Sequence, residues 1–293
     1  MSITATRFTT HIRTWLLIAG LTALLFAIGA AIGGGALYVF VAFAVALNVV
    51  GYWFSDKIAL KASRAKPVEP GTLPSLEAAV QDLAGRAGVP TPRLYLIPSE
   101  QPNAFATGRN PQHAAVAVTD GLLRHLPEDQ VKGVLAHEFG HIKNRDILVS
   151  SIAAMIAAAI SAIANILQFS FLFGGDEEDS GVGLIGTIAT IIFAPLAAAL
   201  LQLAVSRQRE YLADATGAQL LGRGAPLADA LESLDRGAQA VPMAVNPATA
   251  SLYAVNPLPR VGVATLFMTH PPIAERIRRL RALDGESAVR LVA

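Results

Sequence analysis

The 293-residue chain contains no cysteine, so it has neither disulfides nor thiolate metal ligands, and any metal must be held by histidine and carboxylate. Charge is also scarce. Only 15% of residues are Asp, Glu, Lys or Arg, against about 25% in ordinary soluble domains. The formal net charge of +1 gives no argument for nucleic acid, and no nucleic-acid partner is expected. Hydrophobic residues make up 53% of the chain and are gathered in blocks, the pattern of a membrane protein with a soluble part.

The first block runs from Trp15 to Phe54, broken chiefly by Gly33-Gly34-Gly35. At about 40 residues it is twice the length of one span, which predicts two helices joined by a glycine turn. It is too long, and too directly continued, for a cleaved signal peptide. Arg7 and Arg13 precede it and Lys57, Lys61, Arg64 and Lys66 follow, which places both ends in the cytoplasm. Two further blocks, Ile147 to Phe173 and Val182 to Val205, flank an acidic loop that has no lysine or arginine. Lys143, Arg145, Arg207 and Arg209 lie at their outer ends, so a second hairpin with its tip outside is expected. Asn165, Gln168, Pro195 and Gln202 dilute these runs, and a buried hairpin within a soluble domain is the alternative.

Between the blocks the pattern is globular. Residues 66–74 read as a linker. Leu76, Ala79, Val80 and Leu83 have helical spacing up to Gly88, and Arg93-Leu94-Tyr95-Leu96-Ile97 reads as a strand. Residues 103–108 and 114–119 predict two more strands, and Pro127-Glu128-Asp129 starts a helix. Helices are also expected over 206–221 and 226–239, followed by a proline-rich connection over 240–269 and a basic helix opened by Pro271-Pro272. The expected architecture is mainly α with a small β-sheet. It comprises an N-terminal transmembrane hairpin (1–66), a first part of a globular domain (67–146), a second transmembrane hairpin (147–205) and a second part of that domain (206–293).

The helix after Pro127 carries His137-Glu138-Phe139-Gly140-His141. Histidines four apart share a helix face and can offer their rings to one ion, while Glu138 can reach a water on that ion. This is the arrangement of a zinc peptidase, with two metal ligands and a general base. A third ligand is needed. Glu210 and Asp214, also four apart, follow the last apolar block: Glu210 would complete a His₂Glu site, and Asp214 would accept the second ring N–H of a ligand histidine. A membrane hairpin between the two helices returns the chain to where it left, bringing these distant ligands together.

HEFGH with Lys143-Asn144-Arg145-Asp146, the run from Ser206 through Glu210 to Asp214, Asn103-Ala104-Phe105-Ala106-Thr107-Gly108 and Thr269-His270-Pro271-Pro272 together resemble the HtpX family of membrane zinc metalloproteases, relatives of the CAAX prenyl endopeptidases. The resemblance covers nearly the whole chain. It implies a cytoplasmic zincin-like (gluzincin) domain holding one Zn²⁺ through His137, His141 and Glu210, with Glu138 as catalytic base. It also implies a multi-pass protein of the bacterial inner membrane, embedded in the lipid bilayer, that cleaves misfolded or damaged membrane proteins in quality control and stress response. Asn103, on an expected edge strand, is a candidate substrate-binding residue, because peptidases of this kind hold substrate as an added strand. Its alternative is a turn residue beside Pro102. His270 is a candidate donor to the developing oxyanion, or a packing histidine before Pro271. Arg276 and Tyr211 read as structural supports, and His11, His113 and His125 as surface or packing residues.

Two other readings stand beside this one. A membrane scaffold with structural zinc predicts a closed site of four protein ligands and no need for Glu138. A processing protease for specific peptides predicts an enclosed chamber, which so few spans would build only through oligomerisation.

Overall fold

The computed structural model describes residues 36–154, 207–241, 243, 245, 247–258 and 270–292. Helix α1 (Ala36–Ala62) leads into β1 (Lys66–Pro67), so the first residues of the expected linker join a sheet. Helix α2 (Pro74–Ala87) starts on proline, and the Glu77 carboxylate accepts hydrogen bonds from the amides of Gly71 and Leu73. It ends at Gly88, whose φ of 68° suits glycine.

The strands β2 (Arg93–Ile97), β3 (Ala104–Thr107) and β4 (Ala115–Thr119) fall where the sequence places them. With β1 they form one sheet in the order β1-β2-β4-β3. The β2–β4 pair is parallel and the other two pairs are antiparallel, which leaves β3 at an edge. Every residue of β3 and β4 is buried, because both faces of the sheet are covered. Ala104, Ala106, Val116 and Val118 face the helical core; Phe105, Ala115 and Ala117 face a second cluster with Ala59, Leu60 and Tyr253.

A short helix α3 (Asp120–His125), capped by the Thr119 hydroxyl, precedes α4 (Glu128–Asn144), which carries HEFGH. Beyond it, α5 (Arg207–Leu221) and α6 (Ala225–Ala240) pack on α4, and α7 (Ile273–Val292) packs on α5 and α6. Helices α4 and α5 approach closely because glycines line the crossing. A Cβ on Gly140 would lie 2.7 Å from the Ala213 carbonyl oxygen, and one on Gly217 would lie 3.0 Å from the Ala136 backbone. Gly140, the last variable position of the motif, is therefore fixed by packing. Gly140→Ala is expected to cost about 1–3 kcal/mol by overpacking, read from the thermal midpoint. It should also weaken metal binding, because Glu210 sits one turn before Ala213.

Among the described residues no helix is long and apolar enough to cross a membrane. Several side chains of α1 are not among those described, and the first expected span and most of the second hairpin lie outside the described residues. The part of the second apolar block that is described, 147–154, is helical and packs inward, with Ile147 in the helical core and Val149, Ala153 and Ala154 in the second cluster.

Candidate metal centre

Helix α4 ends one turn after His141, and its C-terminus shapes the site. Arg145 takes a left-handed conformation (φ 62°) and turns the chain back, so that the Asp146 amide donates to the His141 carbonyl. This sets Asp146 Oδ2 3.4 Å from His141 Nδ1. No periodicity in the sequence signals that contact, because it depends on one backbone reversal.

His137 Nε2 and His141 Nε2 lie 3.2 Å apart, Glu210 Oε1 lies 3.4 Å from His141 Nε2, and Glu210 Oε2 lies 3.7 Å from His137 Nε2. Ligand atoms about 2.0–2.1 Å from a tetrahedral ion are separated by roughly 3.3–3.4 Å, so the three side chains fit one such ion. Each of these three side chains is steadied from behind. His137 Nδ1 meets Asp214 Oδ1 at 2.9 Å, and Asp214 is gripped by Arg276 through Nε at 2.9 Å and Nη2 at 2.7 Å. Arg276 is fully buried, also donates to the Ala254 carbonyl, and lies 3.7 Å from Glu210. Its role was legible in outline. Ile273, Arg276, Ile277 and Leu280 share one stripe of α7, which puts an arginine at a core position. Tyr211 lies beneath Arg279, binding α5 to α7.

The electrostatics call for a cation. Burial disfavours a charged His141, yet the Glu210 and Asp146 carboxylates prevail and push it up to about 10. Burial likewise opposes the Glu210 and Asp214 charges. Even so, the charges of His141 and Arg276 hold Glu210 well below the usual carboxylate range, and Arg276 brings Asp214 down to about 2. Glu138 differs: burial pushes its carboxyl up, although the neighbouring histidines and the Ala106 amide oppose this. Glu138 Oε1, Glu210 Oε2 and His270 Nδ1 are buried without a hydrogen-bond partner, and all three residues line one small chamber with His137 and His141. Such atoms are what a bound ion and its water satisfy.

His270 reaches this chamber from the segment before α7, and its Nε2 donates to the Tyr253 carbonyl at 2.5 Å. Burial holds it down at about 4, so the ring is neutral. Asn103 is fully buried at the start of β3 and bonds to Val255 rather than to the chamber. His113 and His125 are exposed. Asp214→Asn, which weakens the acceptor behind His137, is expected to lower metal affinity about 10–100-fold in a chelator competition.

Residues 70–284 match the description Peptidase family M48. Proteins named Protease HtpX homolog are similar along almost their whole length. The one from Pelotomaculum thermopropionicum is 51% identical over 278 residues, covering 93% of this chain and 99% of that protein. Those from Persephonella marina and Pyrococcus furiosus are 52% and 47% identical, covering 92% and 95% of this chain. Among solved structures, the crystal structure of S. mikatae Ste24p aligns over 95% of this chain and 66% of its own, with a TM-score of 0.50 and 22% identity, a likeness of fold.

Proposed function

Because the chain belongs to peptidase family M48 and is a metalloprotease acting on polypeptides, we propose that it is a zinc-dependent membrane endopeptidase with His137, His141 and Glu210 as metal ligands and Glu138 as base. The observation that carries this reading is the convergence of those three donors, within 4.8 Å of one another, beside a buried carboxylate with an unpartnered oxygen. Bound there, zinc supplies a Lewis acid for the scissile carbonyl and a water whose pKa falls towards about 7.

The protein does the rest. Glu138 Oε1 takes a proton from the attacking water and delivers it to the leaving amine. Burial raises its pKa above that of a free carboxyl, the direction that helps one group first take and then give up the proton. Asp214, clamped by Arg276, keeps His137 in the Nδ1–H tautomer, and Asp146 serves His141 in the same way. His270 is the candidate donor to the developing oxyanion, once freed from Tyr253. Asn103 is a candidate substrate contact only where its side chain exchanges its bonds to Val255 for bonds to substrate.

We place the enzyme in the bacterial inner membrane with this centre on the cytoplasmic side, acting on misfolded or damaged membrane proteins in quality control and stress response. The apolar blocks and the basic residues at their ends support that placement. The test is cleavage of casein by the detergent-solubilised chain before chelation, after chelation and after zinc is returned. Activity should vanish on chelation and recover with zinc. Activity that persisted in metal-free protein would overturn the reading.

A further inference from the structure

The metal chamber encloses only about 20 Å³ of free space, enough for about one water and too little for a peptide. Next to it is a cleft of about 690 Å³, lined by Ala254, Val255, Asn256, His270, Arg276 and Ile277 among others. Ala254 and His270 line both spaces, so the segment around residue 254 is part of the wall between them.

That segment lies against the outer side of β3. The Ala254 amide donates to the Ala104 carbonyl at 2.9 Å. Asn103 extends the pairing with its side chain, donating from Nδ2 to the Val255 carbonyl at 2.7 Å and accepting from the Val255 amide at 3.3 Å. One residue back, the Tyr253 carbonyl accepts from His270 Nε2, the nitrogen a substrate oxyanion would need. The Tyr253 ring is fully buried edge-on to Phe105, with its hydroxyl on Ser63.

We infer that Ser251–Asn256 is a resident stand-in for substrate: it occupies the edge of β3 on which a substrate strand would pair, engages His270 through a carbonyl, and closes the metal chamber until it is displaced. The inference rests on the peptidase reading and adds latency to it. Substrate competes with the protein's own chain for one strand edge, so the rate depends on the fraction of molecules in which this strap is lifted.

The chain's lack of cysteine gives a clean test. In full-length, detergent-solubilised, zinc-loaded protein carrying Ala104→Cys and Ala254→Cys, diamide oxidation should form that one disulfide. Activity should fall at least about tenfold with metal content unchanged, and return on phosphine reduction. Oxidised protein as active as reduced protein, or folded protein in which the pair does not cross-link, overturns the inference. Asn103→Ala decides independently of the cross-link. Loosening the strap should raise kcat/KM about fivefold, whereas a fall in kcat/KM with fold and metal intact would make Asn103 a substrate contact and refute the strap. Failure of the peptidase reading looks different: the parent chain would then be inactive under every condition.

Discussion

Glu138→Gln is expected to keep its metal and to lose roughly two to four decades of kcat, the usual scale of general acid–base help. The amide has nearly the shape of the carboxylate but cannot accept the proton. Glu138 is not one of the three converging donors, so the site that holds the ion is left intact. Burial already disfavours the Glu138 charge, and replacing a buried acid with a neutral amide should leave the fold as stable as before or more so. Loss of rate, retained metal and an undiminished thermal midpoint form a combination that neither unfolding nor metal loss produces. Near-parental peptide cleavage with metal bound would refute the assignment of Glu138. The scaffold reading, in which the metal is structural, predicts instead that neither the parent nor the variant cleaves peptide.

The second large effect concerns stability. Arg276→Met should destabilise the protein by about 3–5 kcal/mol, because it strands Asp214 and Glu210 in a buried site without their cation. The pH dependence should change with it. Asp214 has its pKa drawn from 3.8 to about 2 in the folded protein. The stability this contributes is fully present above about pH 4 and is lost as pH falls towards 2. Without Arg276 the Asp214 pKa should rise, so acid unfolding should begin at higher pH than in the parent chain. Thermal midpoints of both proteins between pH 3 and 7 measure this. Equal stability across that range would mean that Arg276 is not the clamp described here.

Local signals in the sequence were enough for much of this architecture. The strands around Tyr95, Phe105 and Ala117 and the helices carrying His137, Glu210 and Arg276 lie where alternation, helical spacing and proline or glycine boundaries put them. The candidate donors were readable because i,i+4 spacing is a local code: it puts His137 with His141, and Glu210 with Asp214, on one helix face. What escaped depends on contacts between elements. Asp146 reaches His141 only through the left-handed turn at Arg145. Gly140 and Gly217 acquire meaning only once two helices cross. Asn103 was singled out for its place near a sheet edge, but the sequence gives no sign that residue 255 would meet it there. Nor did β1 announce itself, since Lys66-Pro67 has neither length nor alternation and pairs only because β2 is exposed beside it.

The central claim is that His137, His141 and Glu210 together hold one catalytic metal ion. X-ray absorption on zinc-loaded protein, parent beside Glu210→Ala, tests it most directly. The parent should bind one zinc per chain in a shell of nitrogen and oxygen at about 2.0–2.1 Å with an imidazole signature, and the variant should lose most of that zinc under the same chelator challenge. Equal zinc occupancy and an unchanged shell in Glu210→Ala would contradict the claim.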